Sequence, residues 1–363
     1  MAIRQVDIDE FLFLSETNPI LDVRSPGEFK RAHIPLARSF PLFTDHERAI
    51  VGTLYKQQGQ QTAIRKGLEF FGPKLNQFID EASSILEGSY PTSAGKKNTL
   101  LLHCWRGGMR SAGMAWLLSL YGFEVVTLKG GYKRFRHWVF EQFEQHWNFI
   151  ILGGYTGSSK TEILKRLSSQ YGAAIIDLEG LARHKGSAFG GIGQSEPQPI
   201  QEMFENQLAV AFRIASKNKQ RDSVSKQYIW IEDESQRIGS VNIPQPMWER
   251  MKVSALVFID IPFEKRLNHI VSTYGKLDRS LLTAAISRLQ KKMGGLETKT
   301  AINHLLEGNV HGSFEILLKY YDKLYLKALD KKRDGLSSMK VQVFMDIDPN
   351  NQAVQLINKM ENE

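Results

Sequence analysis

The sequence predicts an α/β protein of two successive domains, each built around a parallel sheet. Short apolar, β-rich runs alternate with amphipathic helical stretches along the chain. Two of these runs lead directly into glycine-containing loops that open helical patterns, one at Cys104 and one at Gly153. The 363 residues also exceed one ordinary core, since domains typically hold about 100 to 200 residues.

Composition narrows the function classes. Hydrophobic residues make up 42% and charged residues 24%, as in globular proteins, with no repeat or low-complexity tract. The start, MAIRQVDIDEFLF, lacks the basic, apolar and small-residue regions of an export signal, and no apolar run approaches the ~18 residues of a membrane helix. We therefore expect a cytoplasmic protein with no membrane partner. The single cysteine excludes an intrachain disulfide and a cysteine-cluster metal centre. A net charge of +8 is weak support for an anionic partner such as nucleic acid. The excess is shared by both halves: residues 1–148 hold 18 Lys and Arg against 15 Asp and Glu, and the rest hold 29 against 24. There is no separate basic tail.

In the first domain, residues 1–138, strands are expected at Ile20–Val23, Asn98–His103 and Val125–Leu128, with a helix over Arg110–Tyr121 ended by Gly122. Cys104 then lies between a strand end and a helix start, where unpaired N–H groups stabilise a thiolate and bind tetrahedral anions. The loop reads Cys104-Trp-Arg106-Gly-Gly-Met-Arg110-Ser111. Its glycines let the backbone curl inward, and Arg106 and Arg110 supply positive charge. A lone cysteine is more often an inert core residue, but this loop is poor core-forming sequence. Cys104, Arg106 and Arg110 are the candidate catalytic residues.

Residues 139–148 are expected to connect the domains as a helix. The preceding Lys129-Gly-Gly-Tyr-Lys-Arg-Phe-Arg-His-Trp138 interleaves basic and aromatic groups, as single-strand nucleic-acid surfaces do. Phe135, Val139 and Phe143 share one helix face at a spacing of four, so packing between domains is the stronger reading of much of this stretch.

The second domain, residues 149–363, starts with the strand-like Phe149–Leu152 and the loop Gly153-Gly154-Tyr-Thr-Gly157-Ser158-Ser159-Lys160-Thr161. In a P-loop the backbone N–H groups cradle phosphates, the lysine neutralises charge and the hydroxyl reaches Mg²⁺. Gly154, Gly157, Ser158, Ser159, Lys160 and Thr161 are the candidate phosphate-binding residues, although Ser159 replaces the second glycine of GxxxxGK[ST]. Later strand-like runs end in Asp177, Glu232, Asp260 and Asp346, where carboxylates face ligands in parallel sheets. Glu232 and Asp233 are the candidate acid or Mg²⁺ site, with helix capping as the plain alternative. Residues 265–330 are helical and basic, Arg266, Lys276, Arg279 and Arg288 included; a solvated helix face is the simpler reading of each.

Asp22 to Phe29 (DVRSPGEF) and His33-Ile34-Pro35 resemble the rhodanese superfamily across most of residues 7–138. Cys104 to Arg110 counts seven residues, as in the related cell-cycle phosphatases, where sulfur-transferring rhodaneses usually have six. Together with Lys129-Gly-Gly-Tyr-Lys, the P-loop and Ile231-Glu-Asp-Glu-Ser-Gln-Arg-Ile-Gly239, the whole chain resembles the bacterial tRNA 2-selenouridine synthases. That resemblance implies a rhodanese-like domain followed by a P-loop NTPase-like domain with a helical C-terminal insertion. It implies conversion of wobble 2-thiouridine in tRNA to 2-selenouridine with selenophosphate, through an S-geranyl intermediate made from geranyl diphosphate. The P-loop would hold the diphosphate, and Cys104 would take selenium as an S-selanyl adduct, with Arg106 and Arg110 on the oxyanion. The resemblance implies no cofactor beyond these substrates, and Mg²⁺ enters only through the P-loop and strand-end acids above. Two other readings are a rhodanese-type cysteine phosphatase or sulfurtransferase with a nucleotide-binding P-loop, and a module that binds tRNA without thiolate chemistry.

Overall fold

A computed structural model describes residues 3–89, 99–218, 228–332 and 339–361. The chain divides into two compact units, Met1–Gln142 and Phe143–Glu363.

Among the described residues unit one holds five strands: β1 (Arg4–Val6), β2 (Ile20–Asp22), β3 (Arg38–Ser39), β4 (Thr99–His103) and β5 (Glu124–Leu128). All pair in parallel, in the order β1-β5-β4-β2-β3. Three of these match the expected strands; Asn98, the expected start of β4, lies outside the described residues. β1 and β3 have three and two residues, too short to show a period. Central β4 is buried from Leu100 onward, as a strand covered on both faces must be. Leu21, Phe40, Leu100, Leu102, Met114 and Leu118 share the core beneath it. The helix after β4 runs Met109–Tyr121 and ends at Gly122, whose φ of 120° suits a residue without Cβ.

The helix Gly131–Glu144 carries the chain out of unit one, and the division into units falls within it. Within unit one Phe135 stacks on Trp138, and within unit two Phe143 meets Phe212 edge-on.

Unit two holds β6 (Phe149–Gly154), β7 (Ala174–Ile176), β8 (Ile229–Glu232), β9 (Arg237–Ile238), β10 (Val241–Asn242), β11 (Ala255–Asp260) and β12 (Met339–Val343). Five strands form a parallel sheet in the order β12-β11-β6-β8-β7, while β9 and β10 pair as a small antiparallel hairpin. β6 is buried throughout and sits centrally. The chain leaves β6 for β7 on one side and leaves β8 for β11 on the other, so the order reverses beside β6, where open α/β sheets bind ligands. The helices Phe263–Tyr274, Arg279–Arg288, Gln290–Met293, Gly295–Leu306 and Val310–Lys332 are inserted between β11 and β12. They enclose their own core of Leu267, Leu282, Ile286, Leu305 and Leu318. No described helix is long and apolar enough to cross a membrane.

Candidate functional site

Each unit contains one concentration of chemistry, at the carboxyl end of its central strand. In unit one Cys104 follows β4 directly and is 3% exposed. Its Sγ accepts from the Gly108 N–H at 3.2 Å and from the Ser111 hydroxyl at 3.3 Å. Burial pushes the thiol up, but the Ser111 hydroxyl and the N–H groups of Ser111, Arg106 and Gly108 outweigh it and bring it below its ordinary value. The loop therefore activates sulfur chiefly through hydrogen bonds.

The two arginines divide. Arg106 is exposed and contributes its main-chain N–H to the thiol's surroundings. Arg110 donates to Glu28 at 2.8 Å, and Glu28 also accepts from the Ser25 N–H at 3.1 Å. The Ser-Pro-Gly-Glu segment thus starts a helix and aims the carboxylate that positions Arg110. Burial pushes Glu28 up, and Arg110 more than reverses this, holding it below its ordinary value.

Two supports of the loop escaped sequence reasoning. The first is the turn at Lys129–Tyr132. Gly131 has φ 58°, and a Cβ there would lie 2.4 Å from the Cys104 carbonyl oxygen and 2.5 Å from the Gly107 nitrogen. Tyr132 and Lys133 donate their N–H groups to the carbonyls of Cys104 and Trp105 at 2.8 and 2.9 Å. The paired glycines therefore let one backbone brace another, a role that neither the nucleic-acid nor the packing reading of this stretch had named. The second is Arg24, 1% exposed, which forks onto Asp22, donates to the Ala32 carbonyl and lies 3.9 Å from the Tyr132 ring centroid. The Asp-Val-Arg pattern was the available signal, because a strand-end acid two residues before an arginine suits a buried pair.

In unit two the Gly154–Thr161 loop joins β6 to the helix Lys160–Tyr171. Gly157 has φ 85° and packs where a Cβ would meet Ile270 at 2.9 Å. Ser159 has φ 56°, the left-handed conformation for which the common motif keeps glycine, and its hydroxyl lies 3.2 Å from His269 Nε2. The loop thus keeps the glycine geometry with a serine in it. Ser158 is buried and donates to the Tyr155 carbonyl at 2.7 Å, so it fixes the loop from inside. Lys160 Nζ donates to the Gly154 carbonyl at 3.0 Å across the loop mouth.

The inserted helices clamp this loop. Arg266 is 3% exposed, forks onto Asp322 at 2.8 and 3.0 Å and donates to the Thr156 carbonyl at 3.1 Å. This corrects the solvated-face reading for Arg266, which the periodicity of its own helix could not reveal. The Tyr325 hydroxyl accepts from the Gly154 N–H at 3.3 Å and donates to Asp233 at 2.6 Å.

Of the expected acidic pair, then, Asp233 is engaged by Tyr325, and Glu232 is brought together with Glu179 and Glu234 instead. One ligand atom from each of these three lies within 4.8 Å of the others. Thr161 donates to Glu179 at 3.3 Å. Glu232 is 1% exposed, and neither of its oxygens has a hydrogen-bond partner. Burial first, then Glu179 and Glu234, pushes its carboxyl well above the usual range, which nearby Thr161 offsets only in part. The other strand-end acids serve locally: Asp177 caps the helix Leu178–Ala182, and Asp346 pairs with Lys265.

Comparison with known proteins agrees with both halves. A model of the rhodanese-like domain matches residues 7–137, and a model described as the tRNA 2-selenouridine synthase AAA domain matches residues 147–343. The chain is 33% identical to the tRNA 2-selenouridine synthase of Shewanella piezotolerans, across 93% of this chain and 96% of that one. It is 34% identical to that of Marinobacter nauticus, across 90% and 93%. For that of Nitrosomonas europaea the identity is 34%, across 79% and 70%. With similarity sustained along both domains, the chain belongs to the tRNA 2-selenouridine synthase family.

Proposed function

We propose that this protein is a tRNA-modifying transferase that replaces the sulfur of wobble 2-thiouridine with selenium in two steps, one for each loop. The observation that carries the reading is the coexistence, in one chain, of an activated thiol in a nest of N–H groups and a P-loop. In the first step the thiocarbonyl sulfur attacks C1 of geranyl diphosphate. An S–C bond forms, the C–O bond breaks and diphosphate departs, its charge offset by Lys160 and the loop N–H groups. In the second step selenium attacks C2 of the base and the geranylthio group leaves.

Selenium reaches that step from selenophosphate at Cys104. An S–Se bond formed directly would expel phosphorus as phosphite, a two-electron reduction. Attack of the thiolate on phosphorus instead forms an S–P bond, breaks P–Se and releases selenide with no change in oxidation state; water then frees phosphate. The seven-residue loop ending in Arg110 suits the second course, because it presents its N–H groups to phosphoryl oxygens. Selenide is a weakly basic leaving group, so the lack of an obvious general acid in the loop is no obstacle. This replaces the S-selanyl adduct expected from the sequence.

The test is incubation of the full chain with 2-thiouridine tRNA and geranyl diphosphate, selenophosphate or both, followed by mass spectrometry of the nucleosides. Geranylthiouridine with the diphosphate alone and selenouridine with both are expected. Cys104→Ala should keep geranylation and lose selenation, and Lys160→Ala should lose geranylation. The seven-residue loop also fits a cysteine phosphatase; release of phosphate from an aryl phosphate, abolished in Cys104→Ala, without any nucleoside change would select that reading.

A further inference from the structure

We infer that Glu179, Glu232 and Glu234 hold a divalent cation directly, with the Thr161 hydroxyl at the edge of the site, and that the site loads without a phosphorylated ligand. In the common P-loop arrangement a hydroxyl and an acid hold the cation jointly with substrate phosphates. Here three carboxylates from two segments, the helix Leu178–Ala182 after β7 and the end of β8, converge from the protein itself.

Two independent observations point to a ligand among them. The first is spacing. Oxygens bonded to one cation at roughly 2.0 to 2.6 Å lie about 3 to 5 Å apart, and the three ligand atoms fall within 4.8 Å of one another. The second is Glu232, buried with both oxygens unpartnered. A cation bound to all three satisfies Glu232 and offsets the mutual repulsion of the carboxylates. The all-oxygen donor set selects a hard cation such as Mg²⁺, Mn²⁺ or Ca²⁺ over the softer metals.

The position gives the site a use. Thr161 bonds Glu179 and follows Lys160 directly, so a cation there adjoins the phosphate loop. That use rests on the P-loop reading; cation binding itself does not. Gly186 also lies so close to Glu234 that a Cβ on it would meet Oε2 at 2.6 Å, which confines that carboxylate.

The experiment is titration of the EDTA-treated full chain with Mn²⁺, followed by the electron paramagnetic resonance of free Mn²⁺, without tRNA or diphosphate. One bound Mn²⁺ per chain is expected, displaced by Mg²⁺ or Ca²⁺. Glu179→Gln and Glu234→Gln should each weaken it tenfold or more while unfolding in EDTA at the wild-type midpoint. Glu234 is only half-buried, so its variant keeps the test sound if Glu179→Gln does not fold. Lys160→Ala should bind Mn²⁺ at least as well as wild type. Absence of Mn²⁺ binding, binding unchanged in both glutamine variants, or binding that appears only after inorganic diphosphate is added would overturn the inference. The P-loop reading fails separately, if Lys160→Ala retains wild-type affinity for inorganic diphosphate.

Discussion

Because Cys104 is the only cysteine, the hydrogen bonds that activate it can be weighed one at a time in the intact protein. Ser111→Ala removes the hydroxyl that donates to Sγ at 3.3 Å. A hydrogen bond to a charged group contributes about 1.5 to 3 kcal/mol, and a one-unit pKa shift corresponds to about 1.4 kcal/mol. The full effect is smaller here, because the same hydroxyl also lies 3.0 Å from the Gly108 carbonyl and has one proton for two acceptors. With the neutral thiol it bonds the carbonyl; with the thiolate it turns to sulfur and gives that bond up. The difference leaves roughly 1.4 kcal/mol, so the thiol pKa should rise by about one unit. The main-chain donors remain, so the pKa should not rise much further. The assay is the pH dependence of iodoacetamide alkylation, read by mass at Cys104. A midpoint that stays within about 0.3 unit of wild type would refute hydrogen-bond activation by Ser111 and leave the backbone N–H groups as the whole cause.

Asp22→Ala leaves the Arg24 guanidinium buried with only carbonyl and ring partners, and should cost about 3 to 5 kcal/mol in urea unfolding; under about 1 kcal/mol would show the pair to be dispensable. Burial pushes Asp22 up, but His103 and Arg24 more than reverse it and hold its carboxyl below its ordinary value. Its stabilisation is therefore fully present above the ordinary aspartate range and declines as pH falls below it, a loss that acid titration of wild type should show and Asp22→Ala should lack. Gly131→Ala places a methyl group against the Cys104 carbonyl and should slow alkylation of Cys104 at neutral pH severalfold; unchanged alkylation would mean the brace is not needed. For Ser159, glycine removes a left-handed strain of about 1 to 2 kcal/mol and loses a hydrogen bond of about 1 kcal/mol, so Ser159→Gly should be near neutral. Ser159→Ala keeps the strain and loses the bond, so it should unfold more easily than Ser159→Gly; the reverse order would contradict the left-handed assignment.

The sequence alone determined the two-sheet α/β class, the strand-loop-helix settings of Cys104 and Lys160, and the helices inserted before the last strand. Each is written in contiguous residues. An apolar run such as Phe149–Leu152 is read locally, and a glycine loop before an amphipathic helix carries its own backbone chemistry. Short edge strands such as Arg38–Ser39 left no such mark, since two residues show no period and their pairing with β2 is a tertiary matter.

Only the tertiary structure decided which distant side chains meet. Glu28 reaches Arg110 across 82 positions, and Tyr325 reaches Asp233 across 92. That second contact takes Asp233 out of the acidic cluster where adjacency in sequence had put it, and the helix Leu178–Ala182 supplies Glu179 in its place. Arg266 looked like one more cation on a basic helix, yet the packing of that helix against Val310–Lys332 buries it as the clamp on Thr156. Periodicity reports which face of a helix is apolar, but not what stands opposite a charged residue on it. Chemical potential at these loops is local and legible; the partners that tune it come from long-range packing, which single-sequence patterns do not contain.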